Sequence, residues 1–171
     1  GFNMNKTKIN QAIKTQLFSA DKDQVLTALN KLKESGNKDY LPILFELVVA
    51  GCETEVEKQI QKLLGTVKDK ETIPVFINAL QEEHFKPIRK NIATSCWQNG
   101  LDFSDDIEVF VDLVINDNWE TAFEAFTVID NMEHFPSAEV MKPIKLKIAR
   151  ALKVADERRA YMLEELLKLS T

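Results

Sequence analysis

The chain has 171 residues, 44% apolar and 29% charged, with a formal net charge of −5; this balance is globular and argues against disorder or a membrane protein. That length suits one domain burying roughly 70% of its unfolded surface without help from disulfides or metal. No window nears the roughly 20 apolar residues of a bilayer span, and no apolar stretch follows Lys6 and Lys8 to make a secretory signal, so the expectation is a cytoplasmic protein without membrane contact.

Taken in chain order, Gly1, Phe2 and Asn3 precede Met4 and read as a cloning scar or a trimmed boundary. Five segments then carry an apolar pair spaced i, i+4: Ile9 and Ile13, Leu41 and Phe45, Ile73 and Ile77, Ile107 and Val111, Val140 and Ile144. The first members, Ile9, Leu41, Ile73, Ile107 and Val140, recur at nearly even intervals. At i+3 stand Ala12, Leu44, Phe76, Phe110 and Pro143, so all but the last extend a stripe along one helix face. Helices are expected near 5–18, 38–50, 70–81, 104–116 and 137–153.

Between them runs a second series spaced i, i+4, i+7: Val25, Leu29 and Leu32; Val56, Ile60 and Leu63; Ala122, Phe126 and Ile129. Ile88 and Ile92 fit the same frame, with Ala93 and Cys96 off register by one, and Met162, Leu166 and Leu169 form a last copy after a longer step. These predict helices near 22–35, 53–65, 86–98, 119–132 and 156–169. Gly36-Asn37, Gly51 and Asn99-Gly100 stand at helix ends, where left-handed backbone is expected. Ser104, followed by Asp105, Asp106 and Glu108, is expected to cap a helix with negative charge behind it. A period of about 33 residues with paired amphipathic helices predicts an all-α solenoid of about five antiparallel helix pairs. They form a single domain over 1–171, with pairs near 5–35, 38–65, 70–98, 104–132 and 137–169.

Tyr40-Leu41-Pro42-Ile43-Leu44-Phe45-Glu46-Leu47 and Thr72-Ile73-Pro74-Val75-Phe76-Ile77-Asn78-Ala79-Leu80 resemble the first helix of bacterial HEAT-like repeats, which carries an early proline before an apolar run. Ile88-Arg89-Lys90-Asn91-Ile92-Ala93 resembles the start of that family's second helix. Leu26, Glu57 and Phe123 stand where the other repeats would carry the arginine matched by Arg89, so the family's polar ladder is incomplete in a divergent member. The resemblance implies a right-handed α–α superhelix, a protein-binding scaffold with no catalytic residues and no cofactor. Its runner-up is a HEAT-like enzyme, such as a DNA glycosylase or a bilin lyase.

Charge is unevenly distributed. From Asn91 to Met141 there are eleven acidic residues and no lysine or arginine, whereas residues 142–171 hold eight basic groups against four acidic ones. Ordinary helix faces mix signs to gain i, i+4 pairs, so a base-free section points to an acidic surface for a basic protein or peptide. Asp112, Glu120, Glu124 and Asp130 are its candidate residues, with Trp97 and Trp119 as neighbouring aromatics. The same asymmetry allows self-association, the basic C-terminal helix with Arg158, Arg159 and Lys168 meeting a neighbour's acidic section. An acidic section repels phosphates, which argues against nucleic acid.

His84 and His134 share a Glu-His-Phe triplet, but their separation is not a whole number of repeats, and both read as exposed turn residues. Cys52 and Cys96 lack CxxC spacing and read as buried free thiols. Neither HExxH nor an Asp-rich calcium loop occurs, so no metal site is expected.

Overall fold

The computed structural model describes residues 9–169. Among the described residues the chain forms ten α-helices and no strand. They are α1 Gln11–Leu17, α2 Lys22–Ser35, α3 Leu41–Ala50, α4 Thr54–Leu64, α5 Ile73–Gln81, α6 Arg89–Asn99, α7 Ile107–Asn116, α8 Trp119–Asp130, α9 Ala138–Leu152 and α10 Glu157–Leu167. Short 3-10 segments, Lys38–Tyr40, Lys70–Thr72 and Ser104–Asp106, lead into α3, α5 and α7, and Glu83–Ile88 leads into α6.

A recurring local device precedes α3, α5 and α7. The side chain of Asn37 accepts from the Asp39 amide at 2.9 Å, that of Asp69 from Glu71 at 2.9 Å, and that of Asp102 from Ser104 at 3.0 Å. Each closes a turn over two residues, a conformation that short polar side chains favour. Pro42 and Pro74 then occupy the first turn of α3 and α5, where a missing N–H costs nothing. Asp21, Asn118, Ser137 and Asp156 accept amides at the starts of α2, α8, α9 and α10.

Several local expectations change. The first helix starts at Gln11 because the Asn10 side chain accepts the Ala12 and Ile13 amides, which leaves Ile9 ahead of it; residues 5–8 of the expected helix lie outside the described residues. Gly51 and Gly100 are left-handed at φ 87° and 70°, whereas Gly36 is extended at φ −75°. A Cβ on Gly36 would sit 2.6 Å from the Leu32 carbonyl, so close approach explains that glycine. Ser104 caps nothing with its side chain and is itself capped by Asp102. In α9, Ile144 of the suggested pair is buried but Val140 is 53% exposed, and Met141 takes its place in the buried stripe Met141, Ile144 and Ile148.

The helices pack pairwise in sequence, α1 on α2 through α9 on α10. The even helices also touch in succession, α2–α4–α6–α8–α10, and the odd helices do so from α3 to α9. Two layers result, with the apolar stripes of both facing inward. Edge-to-face rings run through the interior: Phe45 to Phe76 at 6.0 Å, Phe76 to Phe103 at 6.1 Å, and Phe103 to Phe110 at 5.6 Å. All four rings are almost wholly buried, so each adds aromatic pairing to its area burial.

Candidate binding face

The outer side of the even layer is richest in exposed aromatic rings around α8. Helix α8 turns Ala122, Ala125, Val128 and Ile129 inward, which leaves Trp119, half-buried against the core, and exposed Phe123, four residues apart, along its outer side. Their rings are 5.5 Å apart and Phe123 is 44% exposed. From α10, the Arg158 guanidinium lies 4.5 Å above the Trp119 ring, within reach of a cation–π contact. Tyr161, one turn further along α10, is exposed and stands 6.5 Å from Phe126.

The α6 side of this strip is polar. Glu124 accepts from Trp97 Nε1 at 2.8 Å and from Thr94 Oγ1 at 2.9 Å. Glu120 pairs with Lys90 at 2.8 Å. That hydrogen bond and charge hold the Glu120 carboxyl below its ordinary range and push the Lys90 ammonium up. Four of the residues singled out from sequence, Trp97, Trp119, Glu120 and Glu124, therefore come together. Asp112 does not join them: it lies on α7 in the odd layer, 2.9 Å from Lys147 of α9. Asp130 is exposed at the far end of α8. Lys90, Phe123 and Tyr161 were missed, and Arg158, singled out for contact with another copy, joins the face within the chain; the i, i+4 spacing of Trp119 and Phe123 was a legible signal, whereas the approach of α6 and α10 was not.

The base-free section draws its counter-ions from both neighbours. Asp117 and Arg89 form a pair at 3.4 Å, with side chains only 6% and 11% exposed, and Arg89 reaches on to the Glu82 carbonyl. The Arg89 Nε is buried without a hydrogen-bond partner. Lys147 bridges Glu108 and Asp112, and both contacts push its ammonium pKa up. Arg159 donates to the carbonyls of Val114 and Asp117, and Lys168 pairs with Glu165. The three cations expected to contact another copy thus have partners within the chain: Arg158 on Trp119, Arg159 on carbonyls, Lys168 on Glu165.

Elsewhere, a cavity of about 330 Å³ opens where α2 and α4 end. Its wall is mainly Leu32, Leu41, Leu44 and Leu64, and its rim includes Lys38, paired with Glu71, and Lys68, which donates to the Asn99 carbonyl. His84 is exposed and lies 2.5 Å from Glu46. Cys52 and Cys96 are free thiols; burial pushes both up, Cys96 well up, which disfavours the nucleophilic thiolate. Cys52 is half-buried, more open than the sequence suggested. Among the described residues no group of three or more His, Cys, Asp or Glu could hold a metal ion, and no helix is long and apolar enough to cross a membrane. No family model, characterised protein or solved structure matches the chain.

Proposed function

We propose that the chain is a divergent HEAT-like α-solenoid, a right-handed superhelix of helix pairs, that serves as a protein-binding scaffold, with the outer face of α6, α8 and α10 receiving a basic peptide. The layering supports the solenoid reading, because like helices touch like along the chain. So does the recurring turn at Asn37, Asp69 and Asp102, one repeat apart each time. The observation that carries the binding reading is Arg158, whose guanidinium rests on Trp119 one residue from Glu120. A surface that holds one guanidinium on an indole beside a carboxylate has the chemistry to hold an incoming one in its place.

Phe123 and Tyr161 extend the apolar platform, and aromatic residues with arginine are the types that dominate protein interfaces. The test is anisotropy titration of labelled arginine-bearing peptides against the full chain. Trp119→Ala is expected to weaken binding roughly three- to tenfold, the size of a partly exposed cation–π contact, and raised salt should weaken it further. Binding indifferent to both Trp119→Ala and Phe123→Ser would exclude this face.

A further inference from the structure

Among the described residues α9 is the last helix of the odd layer. Helix α3 is followed by α5, α5 by α7 and α7 by α9, and among the described residues no helix follows α9 in that layer. Lys147 marks the side of α9 that faces α7, since it bridges Glu108 and Asp112 there. At about 100° per residue, Ala138, Lys142 and Lys145 stand about 140–200° round the helix from Lys147. With Met141 and Leu146 they line an open groove of about 390 Å³. Met141 is 1% exposed and forms the floor, whereas Leu146 is 51% exposed and stands at the edge.

The charges here differ from those facing α7. Lys142 is exposed and has no ion pair among the described residues. Lys145 donates to the Leu169 carbonyl. We infer that this side of α9 docks an amphipathic helix of a partner protein that carries two carboxylates one turn apart beside an apolar residue.

The chain contains the template. On the opposite side of α9, α7 presents Glu108 and Asp112 at i, i+4 to hold a lysine, beside the apolar Val111. The open side repeats the α9 half of that seam, with lysine heads over an apolar floor, and lacks the acidic half. Charge complementarity therefore selects an acidic helix. An anionic membrane fits poorly, because Leu146 is the single large exposed apolar residue lining the groove and interfacial helices need a broad apolar face. A second copy fits poorly too, because its Glu108 and Asp112 already hold Lys147.

The inference goes beyond the binding face of the even layer and is tested apart from it. The probe is a designed helical peptide of about five turns with leucines along one stripe and two glutamates at i, i+4, titrated by anisotropy against the full chain. Saturable binding is expected, weakened about tenfold or more by Lys142→Glu combined with Leu146→Ser. Both residues are exposed, and a circular-dichroism melt verifies the fold. Replacing the peptide glutamates by glutamine should weaken binding to a similar extent, whereas Phe123→Ser in the even layer should leave it unchanged. Equal binding of the glutamine peptide, or no effect of the double variant, would overturn the inference. So would binding to phosphatidylserine vesicles in preference to the peptide, or a concentration-dependent dimer that the double variant abolishes.

Discussion

The section from Asn91 to the end of α8 and the helix α9 that follows it are opposite in sequence and opposite again in structure. The first is acidic and base-free, yet Asp117, Glu120 and Glu124 bind Arg89, Lys90 and Trp97 on α6, while Asp112 and Glu108 bind Lys147 on α9. The second is basic, and among the described residues Lys142 on its open side carries no such pair. A run of like charge along the chain therefore says little about which surface is charged. In a layered helical fold each helix meets its charge partners about one repeat away, so pairing is read across repeats and not along the chain.

Substitutions can break or sharpen this contrast. The largest effect is expected at the ring series that threads the interior before α9. Phe76→Ala removes a fully buried ring touching Phe45 and Phe103, and should cost about 3–5 kcal/mol, measured by urea unfolding. Next comes Arg89→Ala, which leaves the Asp117 carboxylate buried without its cation. Loss of a buried partner costs up to about 3–5 kcal/mol. At 3.4 Å, and with the Asn118 amide still donating to Asp117, a smaller loss of about 2–3 kcal/mol is expected. A loss under about 0.5 kcal/mol, the size of an ordinary surface substitution, would mean that the middle section is not held together by its cross-repeat charges.

Lys147→Ala should cost about 1 kcal/mol, because its side chain is 38% exposed and solvent screens both bridges. Its pH dependence has a definite sign. Asp112 and Glu108 raise the folded-state pKa of Lys147 above the ordinary 10.5. The stabilisation is therefore complete below that pH and fades as pH rises through the folded value. Thermal melts of wild type and Lys147→Ala should differ at pH 8 and converge in strong alkali. Convergence on acidification to pH 6 instead would be inconsistent with this bridge. Smallest of all, Lys142→Ala on the open side of α9 should change stability by less than about 0.5 kcal/mol. A larger loss would mean that this side of the helix is already engaged.

Helix positions were legible because an amphipathic stripe depends only on spacing along the chain. Val25, Leu29 and Leu32 are all buried in α2, which spans Lys22–Ser35, the range their spacing suggested. The clearest departure is α9, where Val140 points outward and Met141 inward. Spacing alone could not separate them, since both belong to apolar i, i+3 and i, i+4 patterns, and only contact with α7 and α10 selects the face.

The candidate face was half legible. Trp97, Trp119, Glu120 and Glu124 stood out as unusual types in an unusual stretch, but the hydrogen bond from Trp97 to Glu124 joins α6 to α8 and the Arg158 to Trp119 stack joins α10 to α8. Local sequence determined the helices, their caps at Asn118 and Asp156, and the interior stripes, because these rest on interactions within a few residues. Which acids are already paired, and which side of α9 is left open, was decided only by the stacking of one helix pair on the next. Electrostatic pairing is set by distance in space, and the sequence carries that distance only through the fold.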